Sequence, residues 1–559
     1  MARQAARRAE AVTPRRLSWV LGVYAGVLAL CSLSLFCVVR LERSGLARGP
    51  TLVNIWKGGQ RSARSVVPNE AAAAQALRDE EAAPGATRIV EQIVDSAPIL
   101  PLGRLVFAAS IAPVRDGVSA SYHGQTAYLT PDDLLKLEAY EGNVSLGPLP
   151  LVLGIDPDKV LGALARELHT TPDELFRRAS FRRFCVARDS RYPKDNASDP
   201  ISREALKSAV RNAARYLVQN QHPDGSFRYE VNAVTGGDEP GYNYPRHAGA
   251  TYFLARTANQ FHDSRLFRAA ELAGTFMKDH ATLSCGAHSC VGEGDTVDVG
   301  ASALATLAYV ELLNGGASGF REPALQLAGF LRSQQRSDGD FQHIYSITEQ
   351  HPVDIQLEYY TGEAAFALSR VERVSGDARD LDAARRALSF LVQRPALFLG
   401  AHYFWGAEHW TCQVLEDLWQ RAPDRTALQF CLDWQAANRV LMYSSPPMRP
   451  EYDGAVSRGP FLSPRLTPLG SRMEAAVATL SVARQAGVAP SEIQALETEI
   501  RHGFGFLLRY QYAPGPSYLM PDPRALVGGF PGSPVDLHVR IDYPQHAGGA
   551  LLRYWELEQ

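Results

Sequence analysis

The chain has 559 residues, too many for one small core and enough for two or three domains. Its 57 basic and 60 acidic side chains leave a net charge of -3, which excludes the electrostatic footprint of a nucleic-acid binder or of a protein held to an anionic surface by charge alone.

Residues 1–16 form a basic tail carrying Arg3, Arg7, Arg8, Arg15 and Arg16. Residues 17–39, LSWVLGVYAGVLALCSLSLFCVV, contain no charge and are long enough to cross a bilayer as a helix at ~1.5 Å per residue. The arginine surplus before this run predicts a single-pass cell-membrane protein with an extracytoplasmic C-terminal bulk, the membrane itself being one partner. A cleaved signal peptide is the alternative, but the run exceeds an ordinary h-region and no A-x-A site follows. Residues 40–88 are rich in Arg, Ala, Glu and Gln and read as a tether.

Residues 89–190 read as a small α/β domain. "RLVFAASIAPV" and "SASYHGQTAYL" alternate like half-buried strands, the second turning at His-Gly. "DPDKVLGALARELHTTPDELFRRAS" predicts a helix pair with Thr170 to Asp173 as a cap, and "FRRFCV" a closing strand. This order faintly resembles the second half of the small family named after the AMME deletion syndrome, which implies a fold and no catalytic motif.

From residue 200 to 559 the pattern is helical and repeats. "ARYLVQNQHPDGSFRYEV" and "AGFLRSQQRSDGDFQHIY" each run an amphipathic helix into Q-x-x-D-G-x-F, at Gln221 to Phe227 and Gln335 to Phe341. Glycine tolerates the left-handed conformation that closes a helix, so the Asp-Gly pair is expected to end each one. Extending the frame gives six helix-loop-helix units, with inner helices rich in Ala and Gly that approach closely around an axis. The predicted fold is mainly α: an (α/α)6 toroid preceded by the small α/β domain and one transmembrane helix.

In such a ring the inner helices point their N-termini to one rim, where partial positive charge favours carboxylates and anions. The first and last inner helices open on related phrases, "NYPRHAGA" and "DYPQHAGG", and are neighbours once the ring closes, so His247 and His546 are expected to face one cup. The other four doorways carry Asp295 and Asp298; Glu358 and Tyr359; Glu408, His409 and Trp410; Arg472 and Glu474. Glycoside hydrolysis needs two facing acids ~5 to 9.5 Å apart, for which Asp298, Glu358 and Glu408 are the candidates. Elimination or epimerisation at a uronate needs a cation on the carboxylate and a base for the α-proton, for which Tyr244, Arg246, His247, Arg540 and His546 are the candidates. His409 joins the catalytic set, while Arg246, Tyr359, Trp410, Arg472, Arg540, Asp542 and Gln545 are candidate substrate contacts. The structural reading of each is plainer: helix caps, a polar seam, or first-turn carboxylates complementing the helix dipole. Two long Gly- and Pro-rich loops carrying Asp453, Arg458, Arg465, Arg524 and Arg540 belong to the same mouth.

At Q-x-x-x-G-x-F the chain resembles the QW-type repeat of the terpene cyclase and protein prenyltransferase toroids, with Phe227 and Phe341 where those carry Trp. No D-x-D-D motif accompanies it, since "GDTVDVG" offers only Asp295 and Asp298. The toroid is similar in architecture to polysaccharide lyases, uronyl C5-epimerases and several glycosidases, and "GYNYPRHAG" supplies the Asn, Tyr, Arg and His that such lyases use. The expected function is thus a membrane-anchored enzyme acting on an anionic polysaccharide of the cell envelope. The alternatives are a cyclase or transferase, including a lanthionine-type zinc cyclase, and a non-catalytic envelope-binding module. No cofactor is expected; Cys285, His288 and Cys290 offer zinc too few ligands, so a local disulfide or buried thiols rank ahead.

Overall fold

The computed structural model describes residues 49–559 apart from 101, 147–148, 189–200, 358, 394–408, 446–449, 458–461 and 514–517. The basic tail and the apolar run 17–39 lie outside the described residues, among which no helix is long and apolar enough to cross a membrane.

The first module is an antiparallel six-stranded sheet of β1 (Thr51–Lys57), β2 (Gln60–Val67), β3 (Ala86–Ile99), β4 (Gly117–Tyr122), β5 (Gln125–Leu129) and β8 (Ser180–Arg188), in the order β2-β1-β3-β8-β4-β5. A separate hairpin joins β6 (Tyr140–Leu146) to β7 (Leu149–Ile155). Two expectations need correction. Residues 51–67 are no tether: Thr51 to Trp56 are all buried, and they pair with both β2 and β3. "RLVFAASIAPV" supplies a helix at Arg104–Ala109 that buries Phe107 and Ala108, because Phe and Ala at i and i+1 fit a helix face against the sheet as well as they fit alternation. The His123-Gly124 hairpin, the helices Pro157–Glu167 and Pro172–Arg178, and the closing strand β8 form where they were read, but the cap of the second helix is one residue later than expected: Thr171, not Thr170, accepts a backbone N–H, that of Glu174 at 3.3 Å.

In the second module twelve of the described helices form a ring. The outer ones are α1 (Arg203–Gln219), α3 (Ser264–Ala281), α5 (Arg321–Ser333), α7 (Ala378–Gln393), α9 (Arg425–Leu441) and α11 (Pro490–Tyr510). The inner ones are α2 (Tyr244–Phe261), α4 (Val299–Asn314), α6 (Tyr360–Ser375), α8 (Trp410–Leu418), α10 (Leu466–Ala486) and α12 (Asp542–Leu557). Each inner helix packs on the next, and α12 packs on both α1 and α2, so the ring is closed. Inner helices α4 and α10 are buried nearly all round, whereas outer helix α1 buries one stripe. Glycines set the close approach at the seam: a Cβ on Gly249 of α2 would lie 2.1 Å from Gln545 Oε1, and one on Gly548 of α12 would lie 2.5 Å from the Phe253 ring. That is why both doorway phrases contain Ala-Gly.

The Q-x-x-D-G-x-F motif is a clip between outer helices, and it does not end them by a left-handed cap. α1 closes at Asn220, and Gly225, at φ +98°, forms a small hairpin in which Gln221 bridges Phe227. The Gln221 amide donates to the Gly225 carbonyl at 3.3 Å and to Ala269 on α3 at 2.9 Å; Gln335 does the same to Gly339 at 3.1 Å and Ala383 on α7 at 2.8 Å. A third copy was not legible in the sequence: Gln511 donates to Gly528 at 3.0 Å and to Ala209 on α1 at 2.9 Å, with Gly528 at φ +90°. It joins the last outer helix to the first. Among the described residues two disulfides complete the frame, Cys285–Cys290 across the hairpin after α3 and Cys412–Cys431 between α8 and α9. With both sulfurs bonded, the Cys285 loop has no thiolate to offer a metal.

The far end of the ring is sealed. Arg553 on α12 crosses to α8, donating to Glu416 Oε2 at 2.5 Å and to Gln413, and stands 5.5 Å from the Phe366 ring on α6. Around it Arg370 pairs with Glu311 at 2.5 Å and with Asp417 at 3.3 Å, and Arg256 pairs with Glu556.

Candidate active site

The six inner N-termini surround a cavity of about 450 Å³ to which every inner helix or its cap contributes: Asn243 and Arg246, Leu304, Tyr360 and Glu363, His409 and Trp410, Arg465 and Ser471, and Asp542 and His546. Each helix starts where its cap allows. Asn243 accepts the N–H of Arg246 at 3.1 Å, and Asp298 accepts that of Ala301 at 2.6 Å.

On one wall, α8, α10 and α12 bring together His409, Glu474 and His546. Glu474 Oε2 lies 2.9 Å from His546 Nδ1 and 3.4 Å from His409 Nε2, and the two imidazoles meet edge to face with centroids 5.1 Å apart. A carboxylate only accepts, so in the neutral ring His546 Nδ1 carries the hydrogen and Nε2 is the basic nitrogen. Glu474 thus does for His546 what the third member of a catalytic triad does for its histidine: it fixes tautomer and orientation. Room for it comes from Gly549, where a Cβ would stand 2.7 Å from Glu474 Oε1. The three ligand atoms lie within 4.8 Å of one another, so these are also the residues that could hold a divalent ion. Trp410 packs on His409 at 4.4 Å and gives the wall an aromatic face.

The adjoining rim, where α12 meets α2, is cationic and paired. Arg540 donates to both oxygens of Asp542, at 2.6 and 3.0 Å, and Arg246 lies 3.5 Å from the same carboxylate while donating to the Tyr229 hydroxyl. Burial alone would lower the Arg540 pKa; the hydrogen bonds and charge of Asp542 leave it raised. Arg465 pairs with Asp536.

Among the sequence-derived candidates, His409, His546, Arg246, Tyr359, Trp410, Arg540, Asp542 and Gln545 line this cavity. His247 does not, which overturns the expectation that it would share a cup with His546. It is fully buried on the outer side of α2, Nδ1 at 2.7 Å from the Tyr242 hydroxyl and Nε2 at 2.9 Å from the Ala273 carbonyl, enclosed by the rings of Phe227 and Phe276. Burial lowers its pKa to about 4. Tyr244 sits beside Tyr242, away from the cavity lining. Asp298 is spent as the cap of α4, and burial raises its pKa. Arg472, two residues from Glu474 and so on the opposite side of the helix, turns away from the axis; together with Arg439 it eases the ionisation of Glu499, whose pKa burial raises to about 8. Glu358 and Glu408 lie outside the described residues. Glu363 and Ser471 are polar cavity residues that had no role in the sequence reading, ordinary helix residues with no motif around them.

No protein-family model matches the chain. No curated protein matches it by sequence. Solved structures do share its ring. A D-mannose isomerase superposes with a TM-score of 0.52 at 12% identity, over 64% of this chain and 100% of its own. A cellobiose 2-epimerase from Bacillus thermoamylovorans B4167 superposes with a TM-score of 0.50 at 10% identity, over 63% of this chain and 99% of its own. At these identities the likeness is one of fold, and it establishes the toroid; neither structure is a terpene cyclase or a prenyltransferase.

Proposed function

We propose that the chain is a carbohydrate-active enzyme that moves a proton between neighbouring carbons of a small sugar, as an aldose–ketose isomerase or a C2 epimerase. The observation that carries this reading is the pair of imidazoles, 5.1 Å apart on one wall of the cavity and oriented by a shared Glu474. In an open-chain aldose, His546 Nε2 removes the C2 proton while the imidazole of His409 supplies a proton to O1, giving an enediol. Loss of the O2 proton and return of one to C1 gives the ketose; loss of the O1 proton and return of one to C2 on the other face gives the epimer. Protons and electrons balance without a further reactant. The ring shared with a D-mannose isomerase and a cellobiose 2-epimerase supports the same class.

An anionic polysaccharide is less well supported than a small sugar. Arg465 is matched by Asp536 and Arg540 is clasped by Asp542, while Arg246 only shares that second carboxylate at 3.5 Å, so the rim has one positive charge in excess, enough for a single anionic group and not for a run of uronates. Hydrolysis is less well supported as well: of the described carboxylates lining the cavity, Glu363 and Asp542, the second has both oxygens engaged by Arg540, so no facing pair of available acids is formed. The apolar run 17–39 supports an anchor with the toroid on the exported side, and two disulfides suit that oxidising side.

The test is incubation with D-mannose or cellobiose in deuterated water, followed by NMR. The expected outcome is deuterium at C1 of a ketose or at C2 of the epimer, with turnover in His409→Asn and His546→Asn falling by roughly 10²- to 10⁴-fold. Release of a reducing end by hydrolysis, without exchange, would refute it.

A further inference from the structure

The α/β module is fastened to the loops that build the cavity wall, through the segment 132–141. Glu141 stands inside β6 between Tyr140 and Gly142, which pair normally with Ile155 and Leu153, yet its own φ is +55°. A non-glycine residue held left-handed within a strand marks a site where the surroundings impose the conformation. What it reaches is the toroid. The Glu141 carboxylate accepts the backbone N–H of Ser463 and lies 3.9 Å from the Arg465 guanidinium, the group that lines the cavity just ahead of α10. Neighbouring grips share the load: Glu138 accepts from Asn232 at 2.9 Å, Lys136 donates to the Leu519 carbonyl at 3.2 Å, and Asp132 accepts from the Tyr518 hydroxyl. The Tyr518 ring packs 5.6 Å from Trp56 of β1.

We propose that the α/β module is part of the substrate site, with Glu141 as the positioning residue that sets Arg465 in the cavity wall. Arg465 is held from two sides, by Glu141 of the module and by Asp536 of the loop before α12, and so keeps one pose. That Arg465 then meets a sugar rests on the function proposed above. That Glu141 holds it does not.

The experiment compares the full chain with Glu141→Gln and Glu141→Gly, the second losing the carboxylate while relieving the left-handed backbone. Hydrogen exchange of the peptide spanning 462–466 is expected to quicken by roughly tenfold in both, the size of effect that a lost charge-assisted hydrogen bond gives, with α2 unchanged and the Gly variant melting at or above the parent. Unchanged exchange at 462–466 in both variants overturns the proposal. Calorimetric titration with D-mannose is the second arm. Binding is expected to weaken by roughly tenfold in Glu141→Gln and in Arg465→Gln, with the double variant no weaker than either, since both act through one group. Additive losses overturn the route through Arg465. Absence of D-mannose binding by the parent counts against the sugar reading alone, and the exchange experiment still decides whether Glu141 holds the wall.

Discussion

His247 and His546 occupy the same position in nearly the same phrase and have opposite fates, because a ring is placed by what surrounds both its nitrogens. Tyr242 and the Ala273 carbonyl satisfy His247 on the outer side of α2, while Glu474 leaves one nitrogen of His546 facing the cavity. His247→Asn is therefore expected to cost about 1–3 kcal/mol of stability by leaving buried polar groups unpaired, with little loss of turnover in the folded fraction. The pH dependence has a definite sign. A histidine whose folded pKa is depressed to about 4 adds stability that is full above pH 6.5 and is lost as pH falls from 6.5 towards 4. Thermal melts between pH 4 and 7 should show that acid loss in the parent and less of it in the variant. Equal melting curves, or a collapse of turnover in well-folded His247→Asn, would return this residue to the chemistry. The histidine phrases were legible in the sequence; which ring faces inward was not, since the deciding partners lie on other helices.

At the scale of elements, the clips that hold the outer ring show how far a motif can be read. Gln221 to Phe227 and Gln335 to Phe341 are visible because glutamine and glycine stand four residues apart. Gln511 and Gly528 make the same bonds across a long insertion, so no fixed spacing reveals them. The six helix pairs were legible from periodicity, and strand β1 with the edge strand β2 was not, because "TLVNIWK" is a short buried run without alternation beside a charged partner strand. Gln511→Ala opens the seam between α11 and α1 and is expected to cost about 1–3 kcal/mol in denaturant unfolding, with faster hydrogen exchange in both helices. Gly528→Ala should be worse than Gln511→Ala, since a Cβ there would lie 2.0 Å from the Asn212 carbonyl oxygen. A variant as stable as its parent would show that ring closure does not depend on this clip.

For the molecule as a whole, the joint between its two modules titrates. The hydrogen bond to Asp536 is the main reason the His538 pKa is raised to about 9, with Glu138 of the α/β module and Glu230 adding their charge. A raised histidine adds stability that is complete below pH 6.5 and disappears as pH climbs through 9. Melting temperature is therefore expected to decline across that window, and His538→Gln should flatten the decline; an unaltered slope would place the alkaline sensitivity elsewhere. Arg553 has a different consequence. It blocks the bore about two helical turns, roughly 10 Å, beneath His546, so whatever enters by the mouth must back out by the same way. A long chain cannot be threaded through and worked along its length. Any occupant of the cavity must therefore leave by the mouth it came in through before the next can arrive, and on the reading proposed above that occupant is one free sugar or the tip of a chain.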